Sequence, residues 1–324
     1  MFGLGWLRAL TDARGLLEHA HHGVPRLGEG YTTDDNARAL LYLSLLPEGA
    51  RDEGLVRTYL AFLLHMQKED GRFRNGLTLD GRFEDEGEAE DPTGRAVLAL
   101  AAAQRLPPPY AGPAREALLR ALPALEGFTS LRGRAYALLG LLALPKEPFL
   151  EAAEALGEGL LRAFREAEPA WPYPGPLTYA NHRPVEALYA YGLAFRRQEA
   201  VALARRALAF LKEHYFTPGE EGLFFDPVGN RFMARGRDKP LFDQQPIEAK
   251  CALLAHLRFG ERVLAEVAFL WFHGRNRLRA PLVDAFGPMD GLTPHGPNQN
   301  RGAEALLAYL LAWQALVQGV FPQV

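Results

Sequence analysis

The chain has a single cysteine, Cys251, set among Lys250, Ala252, Leu253 and Leu254 in a helix-forming run. It can form no intrachain disulfide, which points to a reducing compartment. A lone thiol in so apolar a run reads as a small core residue rather than a nucleophile. Long hydrophobic runs are also missing. No apolar stretch reaches the 18 residues of a membrane span. The segment 1–11 holds Trp6, Arg8 and little more than one helical turn of continuous apolar sequence before Asp12, too short for a secretion signal. A cytoplasmic protein with no membrane partner is expected. Charge of one sign is lacking as well: 36 basic and 39 acidic residues are interspersed, for a net −3. With no basic field, nucleic acid is excluded as a partner on electrostatic grounds.

Site motifs of two kinds are absent. Gly28-Glu29-Gly30 leads toward Asp34 and Asp35, whose charge repels phosphate, so no phosphate-cradling loop is predicted. His19, His21 and His22 cluster locally, but only Glu18 stands beside them as a carboxylate. No metal and no cofactor are therefore expected. Neither a polar linker nor a composition shift divides the 324 residues, 48% of them hydrophobic, and one domain spanning 1–324 is the economical reading.

What the sequence does have is a recurring step, a charged residue followed by alanine: Arg38-Ala39, Arg95-Ala96, Arg134-Ala135, Glu186-Ala187, Glu248-Ala249 and Glu304-Ala305. Each opens an alanine- and leucine-rich run that is apolar nearly all round, the mark of a buried helix. Amphipathic stretches alternate with these runs, at about 6–20, 53–67, 113–126, 148–166, 197–214 and 260–272. Six inner and six outer helices predict an all-α fold, an (α/α)6 toroid of six helical hairpins. This architecture is used by many carbohydrate-active enzymes. Connections entering the inner helices, at 68–90, 168–181, 215–243 and 274–299, are long and rich in Gly, Pro and aromatics. Long loops in compact domains are usually functional, so the site is expected over the inner-helix N-termini.

A polar residue stands four positions before each repeated charge: Asp34, Asp91, Ser130, His182, Gln244 and Asn300. Positions i and i+4 share a helix face. Asp, Ser and Asn there also suit helix N-caps. More polar side chains flank the column than capping needs, among them Asp35, Asn36, Gln245 and Asn298, while Tyr31 and Trp171 are among the nearby aromatics that could stack on sugar rings. The three Arg and three Glu read as a neutral floor of buried ion pairs. Some members, Arg95 and Glu248 first, are expected to reach a substrate.

Glycoside hydrolysis needs one protonated carboxyl and a second carboxylate opposite it. The loops and helix starts offer Asp34, Asp35, Glu84, Asp85, Glu86, Glu90, Asp91, Asp226, Asp243, Asp284 and Asp290. Asp35 and Asp91 are the first choices for catalysis because they start neighbouring inner helices, and Asp243 is the third. His182 and His295 form an alternative acid/base pair, since histidine exchanges protons near neutral pH.

The stretch Gly30-Tyr31-Thr32-Thr33-Asp34-Asp35-Asn36-Ala37-Arg38-Ala39-Leu40, with 67–75, Glu90-Asp91-Pro92-Thr93-Gly94-Arg95-Ala96 and 286–300, resembles a family of bacterial six-hairpin glycosidase-like proteins. These are often fused to or found beside glycosyltransferases. The resemblance runs from about 15 to 309 and implies the toroid, a link to sugar metabolism and a glycosyltransferase as a partner. It carries no secure reaction. A shorter likeness, Gln67, Gly71 and Phe73 to the QW motif of triterpene cyclases, is opposed by so polar a mouth. N-acylglucosamine 2-epimerases, which place paired histidines over the same kind of barrel mouth, supply the rival expectation for His182 and His295. The expected function is a glycoside hydrolase acting on an oligosaccharide without cofactor. A 2-epimerase-like sugar isomerase and a non-catalytic glycan-binding partner of a glycosyltransferase are the alternatives.

Overall fold

The computed structural model describes residues 3–84, 90–144 and 146–319. Its contacts divide the chain into two compact units, the first running to Gly159 and the second beginning at Leu160. Among the described residues there are twelve α-helices and only short antiparallel strand pairs.

In the first unit, α1 (Gly3–Ala9) is followed by β1 (Ala20–His21), β2 (Val24–Pro25) and β3 (Tyr31–Thr32). The amphipathic helix expected over 6–20 is therefore cut short. The Asp12 carboxylate accepts the backbone N–H groups of Arg14 and Gly15, and Leu16 N–H goes to Asn36, so the backbone turns instead of continuing helically. Then come α2 (Thr33–Ser44), α3 (Glu53–Met66), β4 (Gly76–Leu77), α4 (Glu90–Ala102), α5 (Pro108–Leu125), α6 (Leu131–Leu141) and α7 (Phe149–Glu166), the last crossing into the second unit. Helix α5 starts earlier than the expected 113 because Pro108 and Pro109 occupy its first positions, where a missing N–H costs nothing.

Helices α2, α4 and α6 are the expected inner runs. Helix α2 packs on α4 and α4 on α6, with α3 against α2 and α5 against α4. Helix α3 buries one face through Leu55, Val56, Tyr59, Leu60, Phe62, Leu63 and Met66, while α2 and α4 are buried nearly all round. Strand β3 pairs with β4 in the register Tyr31↔Leu77, fastening the loop after α3 to the entry of α2. Gly30 sits at φ +71° with the Leu77 carbonyl 2.4 Å from where a Cβ would lie, so only glycine fits this entry.

The second unit contains α8 (His182–Ala194), α9 (Gln198–Tyr215), β5 (Phe216–Gly219), β6 (Gly222–Phe225), α10 (Pro246–Arg258), α11 (Arg262–Leu270), β7 (Val283–Asp284), β8 (Gly287–Pro288), β9 (Leu292–Thr293), β10 (Gly296–Pro297) and α12 (Ala303–Gln318). Helix α10 packs on α8 and α12, with α9 against α8 and α11 against α10. The long loops are organised by the hairpins β5–β6, β7–β8 and β9–β10. Cys251 is fully buried near Ala180 and Ile247, as a core residue.

The tightest helix contact uses glycine as well as the recurring alanines. A Cβ on Gly94 of α4 would lie 2.4 Å from the Gly133 carbonyl oxygen of α6, and one on Gly140 would lie 2.7 Å from the Leu98 Cα. Both obstacles are backbone, so no rotamer change relieves them. Gly94→Ala should lower unfolding free energy by about 1–3 kcal/mol, the usual cost of overpacking. An unchanged denaturant midpoint would contradict this close approach.

Candidate active site

Each half of the chain contributes its own polar cluster. In the first unit, Thr32 caps α2, its hydroxyl accepting Asp35 N–H at 3.2 Å, and Asp34 and Asp35 occupy the first turn, where helix dipoles favour anions. The buried Asp35 carboxylate meets Arg38 Nη1 at 2.5 Å and accepts the Thr32 hydroxyl at 3.1 Å. Asp34 pairs with Arg95 of α4, whose guanidinium lies 4.7 Å from the Tyr136 ring centroid on α6. Asp34 Oδ1 has no hydrogen-bond partner among the described residues. Asp91 accepts Arg132 Nε at 2.7 Å and the Ser130 hydroxyl at 2.5 Å. Glu90 receives the N–H groups of Thr129 and Ser130 at 2.8 and 2.5 Å.

Glu18 completes this cluster. Its side chain is 32% exposed, and its pKa is pushed up to about 7, first by burial and then by the Asp35 charge, against a weaker opposing pull from His19. This carboxyl keeps its proton where an ordinary glutamate has lost it. The sequence offered one hint, its place beside His19, but the distinguishing feature is Asp35, seventeen residues away in sequence.

The other expected residues of this unit hold structure together. Tyr31 is buried and donates its hydroxyl to Asp12 at 2.6 Å, its own ionisation suppressed by burial and that bond. Asn36 is spent on the backbone of Leu16 and Thr32. Glu84 is exposed, and Asp85 and Glu86 lie outside the described residues.

In the second unit, His182 begins α8 fully buried, edge-on to Tyr215 at 4.8 Å between centroids and 5.8 Å from the ring of His256. Neither of its ring nitrogens has a hydrogen-bond partner among the described residues. Burial and then the neighbouring His256 hold its pKa well below the usual histidine range, so it is neutral. His256 Nδ1 lies 2.7 Å from Glu261 Oε2. The histidine that meets His182 is thus His256. His295 sits on the exposed turn between β9 and β10. Glu248 accepts Ala180 N–H and, after burial, helps hold the Tyr215 phenol protonated. Asn181 donates to the Tyr215 oxygen at 2.7 Å.

Gln244 is locked in a second knot. Its amide donates to Asp226 at 2.8 Å, and its oxygen accepts the Trp271 indole N–H at 2.9 Å. The buried Asp226 also binds Arg277 at 2.6 Å and Lys239 at 2.9 Å. Gln245 is the N-cap residue of α10 without a side-chain capping bond, and Asp243 beside it is exposed. Asn298 accepts Asn300 N–H at 3.2 Å in a local turn. Trp171 donates its indole N–H to the Gly175 carbonyl at 2.8 Å.

Two readings of the repeat change. Of the polar column, only Ser130 is an N-cap, accepting Gly133 N–H at 3.1 Å; Asp34, Asp91 and His182 lie inside the first turn, and Gln244 and Asn300 precede the capping residue. The counter-ions of three of the repeat charges also lie outside the repeat. Arg38 has Asp35, Arg95 has Asp34, and Glu186 has Arg183 at 2.5 Å and Arg258 at 3.1 Å, which together overcome its burial and lower its pKa.

Burial raises the Asp226 pKa, but Arg277 and Lys239 overcome it and the net shift is downward. Its contribution to stability is therefore complete above the ordinary carboxylate pKa and disappears as pH falls through the lowered value. Asp226→Asn should cost about 3–5 kcal/mol at neutral pH, as removal of one partner from a buried pair does. The cost should shrink on acidification, which chemical denaturation at pH 7 and pH 3 would measure.

No protein-family model matches the chain. No curated protein sequence matches it either. Its structure does match solved ones. Over 97% of this chain and 94% of the other it is similar to a D-mannose isomerase, with a TM-score of 0.69 and 10% identity. A cellobiose 2-epimerase from Bacillus thermoamylovorans matches over 96% and 95%, with a TM-score of 0.68 and 9% identity. A family 76 α-mannanase from Bacteroides thetaiotaomicron matches over 98% and 93%, with a TM-score of 0.66 and 12% identity. These likenesses show the fold, the all-α six-hairpin (α/α)6 class that the repeat predicts. No helix among the described residues is long and apolar enough to cross a membrane.

Proposed function

We propose that this chain, read as one (α/α)6 domain, is a carbohydrate-active enzyme that cleaves an oligosaccharide by carboxyl acid/base catalysis. The observation that carries the reading is Glu18, a partly exposed carboxyl holding its proton to about pH 7 beside the ionised Asp35–Arg38 pair. Two carboxyl groups whose surroundings push their proton affinities apart are what hydrolysis of a glycoside requires. Glu18 is assigned as the general acid toward the leaving oxygen. Asp34, whose Oδ2 is held by Arg95 and whose buried Oδ1 has no partner among the described residues, is assigned as the base that activates water. Asp35 and Asp91, each bound to an arginine, keep negative charge near a developing oxocarbenium ion. The fold supports a sugar substrate by analogy, since its neighbours include an α-mannanase, a cellobiose 2-epimerase and a D-mannose isomerase.

The test is release of reducing sugar from α-mannan and cello-oligosaccharides between pH 5 and 9. Because the protonated acid is the active form, the rate should fall as pH rises through about 7. Glu18→Gln should lose roughly 100-fold or more in kcat, the usual share of a general acid, with unchanged melting temperature. A folded Glu18→Gln protein that keeps its activity would remove Glu18 from the mechanism.

His182 favours a second reading, sugar 2-epimerisation. A neutral imidazole whose two buried nitrogens have no hydrogen-bond partner among the described residues, 5.8 Å from a second histidine ring, is in the form that accepts a proton. On this reading, mannose or cellobiose recovered from deuterated water carries deuterium at carbon 2, and His182→Asn abolishes the label. Recovery of unlabelled sugar from the native enzyme would sink it.

A further inference from the structure

A cavity of about 610 Å3 opens in the second unit where the end of α7 meets the loop through Trp171 and Pro176 and the segment around Arg235. None of His182, His256 and Glu248 lines it. We infer that it is a saccharide-binding subsite with Trp171 as its platform. The inference deepens the carbohydrate reading above and rests on it for the class of ligand.

The cavity is built on fixed parts. Leu177 and Met233 exchange backbone hydrogen bonds of 2.8 Å in both directions, clamping the two loops together. The Trp171 indole is tied by its N–H to Gly175 and braced edge-on by Phe210 at 4.8 Å and His214 at 6.0 Å. Its polar atom is therefore satisfied internally, and the half-buried ring serves the cavity as an apolar surface. Tyr173 lies deeper, buried and edge-on to Phe164.

Around these rings stand Glu166, exposed and free of any partner among the described residues, and Glu168 ion-paired with Arg235. A sugar ring presents an apolar C–H face beside pairs of hydroxyls. The aromatic platform suits the first, and carboxylate and guanidinium forks suit the second. A pure hydrocarbon would leave Glu166 unmatched. The volume falls within the roughly 300–1,000 Å3 range of small-molecule sites and accommodates a short oligosaccharide.

Calorimetric titration of the full chain with mannotetraose and with cellotetraose tests the site directly. At least one should bind. Trp171→Ala should weaken that binding by about tenfold or more, equivalent to some 1.4 kcal/mol, while Trp171→Phe retains most of it and Glu166→Gln weakens it without moving the melting temperature. Failure of both saccharides to bind, or binding indifferent to Trp171→Ala and Glu166→Gln, overturns the subsite. Trp171-dependent binding with no hydrolysis or epimerisation would sink the catalytic reading and leave the subsite standing. Glu18-dependent hydrolysis with binding indifferent to Trp171 would do the reverse.

Discussion

Neutralising charge inside helices that are otherwise buried is the constraint on which this structure depends. Arg38, Arg95, Glu186 and Glu248 all lie near the starts of inner helices and are all buried. An ion taken out of water unpaired costs several kcal/mol. Each therefore comes with partners. Asp35, Asp34, and Arg183 with Arg258 serve the first three, and the Ala180 N–H and Tyr215 serve Glu248. These partners come from the entry turns of the same or the neighbouring inner helices, except Arg258, which ends α10, and Tyr215, which ends the outer helix α9. The long loops must deliver each chain entry to a particular place, and the pairing of β3 with β4 and the glycine at position 30 do so in the first unit.

The same requirement divides the acids into kinds. Asp35, Asp91 and Asp226 are committed to cations, and Asp35 and Asp226 are buried, so protonating any of them gives up an ion pair. Glu18 is held protonated by burial first and by the committed Asp35 second, against the weaker pull of His19 and Arg38. A structural carboxylate thus adds to burial in setting the acidity of a neighbour. In the second unit the parallel case is His182, held neutral by burial among Tyr215, Phe225 and His256.

Much of the scaffold is legible in the primary structure because buried helices leave a periodic trace. All six charge-and-alanine steps lie within the six inner helices, and five of the six amphipathic stretches became outer helices. The exception, 6–20, looked helical by apolar spacing, but Asp12 and Asn36 offered its backbone better hydrogen bonds. Glycine's part in the α4–α6 contact was not legible. Gly94 and Gly133 belong to different helices, and nothing local to either reports that the other's backbone lies against it.

For the candidate site, the sequence by itself determined where polar chemistry would gather: at the starts of the inner helices, with Asp34, Asp35, Asp91 and His182 each in a first turn. Helix periodicity is a local property, and local spacing suffices to place such residues. Only the tertiary structure decided their states. Whether a carboxyl is ionised depends on charges and solvent within a few ångströms, and those belong to Arg95 for Asp34, Arg132 for Asp91 and Asp35 for Glu18. It likewise joined His182 to His256, a residue of the last turn of α10 that no spacing within α8 could indicate. Proximity between distant segments is created by packing, and acidity follows from proximity.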